Sequence, residues 1–184
     1  MHGANVVPQH GYGPMAKTLH WLVFALLAAQ FAIAWAMPNI GRNAKAEGLI
    51  DLHLSVGTLI LLVVVARAAW RLARPVPAIS DGTPEWQQRA AAATHVLLYV
   101  LLVAVPVLGW ANASSRGFPV TLFGLVTLPA LLPKGSAFGH WCGDIHTVAS
   151  YVLLGVVGLH VAAALYHRVV LRDDVLARIL PSRG

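Results

Sequence analysis

Polar and apolar positions fall into long blocks along this chain. Four stretches, about 16–37, 49–72, 89–112 and 144–170, are apolar with few charges. Each reaches the ~20 residues that an α-helix needs to cross a hydrocarbon core, so the pattern predicts four spanning helices. Pro38 stops the first, and Pro75 and Pro77 follow the second. Pro106 lies inside the third and predicts a kink. The stretch 118–140 is apolar too, but Pro119, Pro129 and Pro133 break it. Its unbroken part is too short to span, which predicts an interfacial or re-entrant loop. The expected fold is all-α, an integral membrane four-helix bundle forming one domain over 1–184.

Composition supports this. Of the 184 residues 58% are hydrophobic and 11% charged, with a mean hydropathy of +0.68, too few charges to cover a soluble surface. The polar stretch "MHGANVVPQHGYGPM" has no basic start, and the apolar run after it is long enough to span, so no cleavable signal peptide is expected. The net charge of +6 does not point to nucleic acid, because the basic residues flank apolar segments and form no patch. Lys17, Arg67, Arg71, Arg74, Arg89, Arg168, Arg172, Arg178 and Arg183 fall on the side of both termini; Arg42, Lys45, Arg116 and Lys134 fall on the other. Nine against four predicts cytoplasmic termini.

This topology gives each histidine a depth. His53 and His146 share the outer level, while His20 and His160 share the inner one. His160 lies ~21 Å deeper than His146 along one helix, and fourteen residues at about 100° each bring both to nearly the same face. Any one buried histidine can serve as a hydrogen bond between helices. Four in two level-matched pairs point to two bis-histidine sites. No carboxylate or thiolate lies at matching depth, which argues against zinc or di-iron. Facing imidazoles suit haem b, and with a single cysteine, Cys142, there is no covalent attachment motif. Gly57 and "HVAAAL" keep the walls thin, as they do in ordinary helix packing.

At these residues the sequence resembles the bacterial cytochrome b561 family. The likeness rests on "LHWLVFALLAAQFAIAW", "IDLHLSVGTLILLVVVARAAWRL", "THVLLYVLLVAVPVLGW" and "DIHTVASYVLLGVVGLHVAAALYHRVVLRDDVLARILP". The resemblance implies two b haems, ligated by His20, His53, His146 and His160. His95 competes with His20 for the inner site, or donates a hydrogen bond near it. His167 reads as an interfacial residue or proton carrier, His140 as a loop residue near the outer haem, and His2 and His10 as leader.

Two strong axial ligands leave no open position, so such a site passes electrons. The resemblance implies ubiquinone as one partner and superoxide oxidation at the outer face of the bacterial inner membrane. Arg116 and Lys134, with Arg42 and Lys45 as helpers, are candidates for steering the anion; solvated loop charges are the alternative. Asp144 is a candidate quinone proton carrier or the cap of the fourth helix. Trp110 and Trp141 read as belt residues or as the border of a quinone ring. Arg67, Arg71 and Arg168 suit haem propionates or lipid phosphates. Two other classes stay open: a cytochrome subunit relaying electrons between a dehydrogenase or hydrogenase partner and quinone, and a cofactor-free helical membrane protein.

Overall fold

A computed structural model of the chain describes residues 12–41, 44–74 and 84–180. It contains helices α1 (Pro14–Ala36), α2 (Leu49–Ala73), α3 (Glu85–Arg116) and α4 (Ala137–Tyr166), with a π-helical turn, His167–Leu171, closing α4. All four are long and apolar enough to cross a membrane. Pro14 opens α1 at a position where its missing N–H costs nothing. Gly117, left-handed at φ 75°, closes α3 and returns its N–H to Ala113 and Ser114.

Two boundaries differ from expectation. Helix α3 runs about four residues further at each end, so Arg116 is its last residue and not part of the loop. Helix α4 starts seven residues before 144, at Ala137, where the Ser136 hydroxyl accepts from the Gly139 N–H. Asp144 is therefore no cap, and His140 and Trp141 are helical. The early start follows from packing. Gly139 lies against Ser115 and Gly143 against Asn112, so closely that a Cβ at either glycine would overlap its neighbour. Small residues four apart let two helix backbones approach in this way, and the first turns of α4 form against α3. Cys142, between these glycines, is buried.

The residues between α3 and α4 form a small antiparallel hairpin, β1 (Thr121–Leu122) and β2 (Val126–Thr127), that turns through Phe123 and Gly124 at positive φ. It is tied to α2 by Ser55, whose hydroxyl donates to the Thr121 carbonyl (2.9 Å) and accepts from the Phe123 N–H (3.1 Å). It is tied to α3 by the Leu131 N–H on the Ser114 hydroxyl and by the Trp110 indole on the Pro129 carbonyl. Irregular backbone near a membrane needs such partners.

At the opposite end both ends of the described chain meet. The Tyr12 N–H donates to the Arg178 carbonyl, and the Trp21 indole donates to the Ile179 carbonyl. The bundle thus has a hairpin end and a termini end.

Packing runs α1 on α2, α2 on α3 and α3 on α4, yet α4 makes no close backbone contact with α1 or α2 among the described residues. Between them sits an apolar plug that includes Leu27, Ile60, Val64, Leu102 and Leu153. Outward positions such as Leu62, Leu72, Val100, Val148 and Leu159 are exposed, as lipid-facing residues should be.

Candidate functional site

The gap between α4 and the α1–α2 pair is spanned at two levels by histidines. At the hairpin end His53 of α2 faces His146 of α4, with ring centroids 6.2 Å apart and planes at 80°. At the termini end His20 of α1 faces His160 of α4 at 6.3 Å and 62°. Leu27, Ile60 and Leu153 each lie seven residues from these histidines, about 10 Å along a helix, so the plug separates the two levels. A metal ion between two imidazoles sits roughly 2 Å from each nitrogen, which with about 1 Å from nitrogen to ring centre gives centroids about 6 Å apart. Both pairs have that separation.

The hairpin-end pair borders a cavity of about 450 Å³ that reaches all four helices and the hairpin. His146 leans over α3, and its Nδ1 donates to the Val105 carbonyl at 2.8 Å. A carbonyl only accepts, so the proton is on Nδ1 and Nε2 keeps its lone pair for a metal. Gly109 makes this approach possible, because a Cβ there would lie 3.0 Å from both Nδ1 and Cε1 of the ring. Pro106, next to Val105, lies inside the continuous α3 and takes one N–H donor out of its ladder at this level. The Gln30 side chain donates to the His53 carbonyl at 3.0 Å. Buried polar atoms without a partner cluster here: His53 Nδ1, Gln30 Oε1, Asn112 Oδ1 and Arg116 Nε. Native interiors rarely leave such atoms unpaired, and a polar-edged cofactor in the cavity is one remedy.

At the termini end His95 of α3 also reaches His160, with centroids 5.3 Å apart, so three imidazoles share this level. Arg67 donates to the Ala16 carbonyl at 3.0 Å, and its other nitrogen lies 3.3 Å from Nδ1 of His20. A guanidinium only donates, so this contact makes Nδ1 of His20 the acceptor and puts the ring proton on Nε2, the opposite tautomer to His146; His20 can ligate through Nε2 only when Arg67 is turned off its Nδ1. Among the described residues no group of three or more His, Cys, Asp or Glu is placed to hold a metal ion. Two-imidazole sets suit an iron whose other positions a porphyrin already fills. The residues fit haem b.

Of the other candidates, Arg116, Asp144, His140 and Trp110 line the hairpin-end cavity. Lys134 does not; it is exposed, with its stem against Gly117. Lys45 pairs with Glu47 at 3.8 Å, and Trp141 faces outward. Arg42 lies outside the described residues, as do Arg183, His2, His10, Pro75 and Pro77. His167 bonds Asp173, which also accepts from the Val175 N–H. Desolvation raises the Asp173 carboxyl, but these two hydrogen bonds and the Coulomb attraction of His167 together hold the group below its ordinary 3.8. Gln30, Gly109 and Asn112 were not among the sequence candidates. Gln30 and Asn112 had a signal, each being an uncharged polar residue in an apolar run.

Four apolar helices that present two matched imidazole pairs across an internal gap define an integral-membrane electron-transfer bundle. A family model for prokaryotic cytochrome b561 matches residues 11–182, and the chain belongs to that family. It is 30% identical to cytochrome b561 homolog 2 of Escherichia coli (strain K12), over 92% of this chain and 90% of that one. It is 28% identical to the probable superoxide oxidase CybB of Yersinia pestis, over 94% and 97%, and 27% identical to cytochrome b562 of Cereibacter sphaeroides, over 94% and 97%. The protein is a multi-pass membrane electron-transfer protein of the cytochrome b561 family.

Proposed function

We propose that the protein binds two b haems, one between His53 and His146 and one between His20 and His160, and oxidises superoxide at the outer face while reducing ubiquinone. The observation that carries this reading is the matched separation of the two histidine pairs, 6.2 and 6.3 Å. Haem with two imidazole ligands supplies one-electron chemistry and no site for oxygen. Two superoxide anions give two electrons and leave as two oxygen molecules; ubiquinone takes both electrons and two protons. Similarity to a probable superoxide oxidase supports the donor.

The chain's own groups divide this work. Arg116, at the cavity, draws the anion in by charge, and low salt extends its reach. Asp144, at the same cavity, is the proton carrier for quinone. Lys134 and Lys45 contribute only to the long-range field. His95 is the alternative partner of His160, or a hydrogen-bond donor beside it. The membrane is the bacterial inner membrane, with the hairpin end outside and both termini in the cytoplasm. The basic residues at the termini end support that orientation.

The test is a reduced-minus-oxidised spectrum of the purified protein with pyridine haemochrome quantitation, followed by superoxide and ubiquinone. The expected result is a b-type α-band, about two haems per chain, reduction by superoxide and reoxidation by ubiquinone. Absence of the band overturns the haem reading. Two haems indifferent to superoxide transfer the protein to the other electron-relay class, the cytochrome subunit of a dehydrogenase or hydrogenase.

A further inference from the structure

The two imidazoles at the hairpin end differ in where their second nitrogen goes. His146 has an acceptor for its Nδ1 proton in the Val105 carbonyl, at 2.8 Å. His53 has none: its Nδ1 is buried and meets no hydrogen-bond partner. A nitrogen sealed in this way does not meet the cavity that His53 lines, so Nε2 is the one left for a metal. An imidazole that ligates through Nε2 carries its proton on Nδ1. His53 then brings a buried donor in need of an acceptor, since metal-bound histidines almost always donate their other ring N–H.

Gln30 has the matching half. It is the lone uncharged amide in the apolar run of α1, and its nitrogen donates to the His53 carbonyl at 3.0 Å. A carbonyl only accepts, so this bond fixes which end of the amide is nitrogen. The oxygen, Oε1, is buried and has no donor. A tie between α1 and α2 accounts for the nitrogen but leaves the oxygen unexplained. Gly57, one turn along α2 from His53, makes the room, because a Cβ there would stand 3.2 Å from the Gln30 nitrogen. The other unpartnered amide oxygen lining this cavity, Oδ1 of Asn112, lies against Gly143 in the α3–α4 contact.

We propose that Gln30 is the positioning residue for His53: its Oε1 accepts the Nδ1 hydrogen bond of the ring when Nε2 ligates iron, which fixes the tautomer and the ring plane. No proton is transferred. His146 is thus held by the backbone of α3 and His53 by a side chain of α1, so the ligand strength of His53 can be changed at position 30. This rests on the assignment of His53 and His146 as haem ligands made above.

The test uses the full-length protein and two readouts. The first is the reduced-minus-oxidised infrared difference spectrum with glutamine labelled by 13C at the side-chain carbonyl. The other glutamines, Gln9, Gln87 and Gln88, lie outside the apolar runs, so a label-sensitive band reports Gln30. The second is a spectroelectrochemical titration of the α-band in the parent, His53→Ala, Gln30→Leu and Gln30→Glu, with haem content from pyridine haemochrome. His53→Ala identifies the wave of the hairpin-end haem. An accepted ring hydrogen bond makes the imidazole more basic and favours ferric iron; its loss weakens that preference about tenfold, the low end for outer-shell partners. The expected outcome is a label-sensitive band in the parent and a rise of that one wave by about 59 mV in Gln30→Leu. Gln30→Glu keeps an oxygen acceptor and loses the amide donor, so it should not raise the wave.

The proposal is overturned if the parent shows no label-sensitive band, or if Gln30→Leu keeps both haems and shifts neither wave. It is also overturned if Gln30→Leu and Gln30→Glu raise the wave equally, which reduces Gln30 to the α1–α2 tie. Should Gln30→Leu lose its fold, the labelled parent still decides. Full haem content in His53→Ala overturns the ligand assignment itself, a result separate from a silent Gln30.

Discussion

Gly139→Ala perturbs the contact on which the start of α4 depends. A Cβ at Gly139 would stand 2.3 Å from the Ser115 Cβ, 2.8 Å from its hydroxyl and 3.2 Å from the Ala111 carbonyl. Carbon atoms rest at about 3.5 Å or more, so the helices must part by roughly 1.2 Å or Ser115 must give way. Ser115 is 1% exposed and holds the Asn112 carbonyl at 2.8 Å, so it has nowhere to go. Overpacking of this kind costs about 1–3 kcal/mol, and the backbone oxygen nearby puts this case at the upper end. The assay is reversible unfolding in mixed detergent micelles, followed by helical circular dichroism. Replacing Ser115 by Gly in the same chain removes the two nearest atoms and should recover much of the loss. The double-mutant cycle should then show a coupling of about 1.5 kcal/mol or more. A coupling near zero, or Gly139→Ala as stable as the parent, would refute the close-packed α3–α4 contact.

Three further outcomes follow from the same geometry. Ser55→Ala leaves the Thr121 carbonyl and the Phe123 N–H without their partner; each unpaired group costs about 1–3 kcal/mol, and hydrogen exchange at Phe123 should speed up while exchange within α2 does not. Trp21→Phe removes the indole bond to the Ile179 carbonyl and should make residues 174–180 more accessible to proteases. The His167–Asp173 contact depends on an ionised carboxylate. A group held below its ordinary 3.8 contributes fully above that value and loses its contribution as pH falls through its lowered one. The tail should therefore resist pepsin near pH 4, give way in stronger acid, and be cut already near pH 4 in Asp173→Asn.

The four helices were legible because lipid tolerates only long apolar runs with internally paired backbone. The histidine levels were legible because helix rise converts residue number into depth. The start of α4 was not. Pro133 and Gly135 just before it read as loop, and Asp144 looked like a cap; what extends the helix is a tertiary contact, hinted at by the four-residue spacing of Gly139 and Gly143. Arg116 and Lys134 looked equivalent as loop cations. Gly117 separates them, ending α3 in a left-handed turn that leaves Arg116 on the cavity and Lys134 outside it. The carbonyl behind His146 had no local signal at all, since it depends on how closely α4 lies against α3 at Gly109.

Cys142 lies between Gly139 and Gly143, the two glycines of α4 packed against α3, and is 2% exposed. A thiol reagent reaches it only when those helices come apart along this seam, because a buried thiol is inert until it meets solvent. The chain therefore carries its own clock. The rate at which this sulfur is blocked counts the openings of the seam, without a probe being added to the protein. Native labelling slower than that of the unfolded chain by some factor gives the fraction of time the seam is open. The same clock should run faster in Gly139→Ala, where the seam is wedged, and keep its pace in Trp21→Phe, where only the far end of the bundle is loosened.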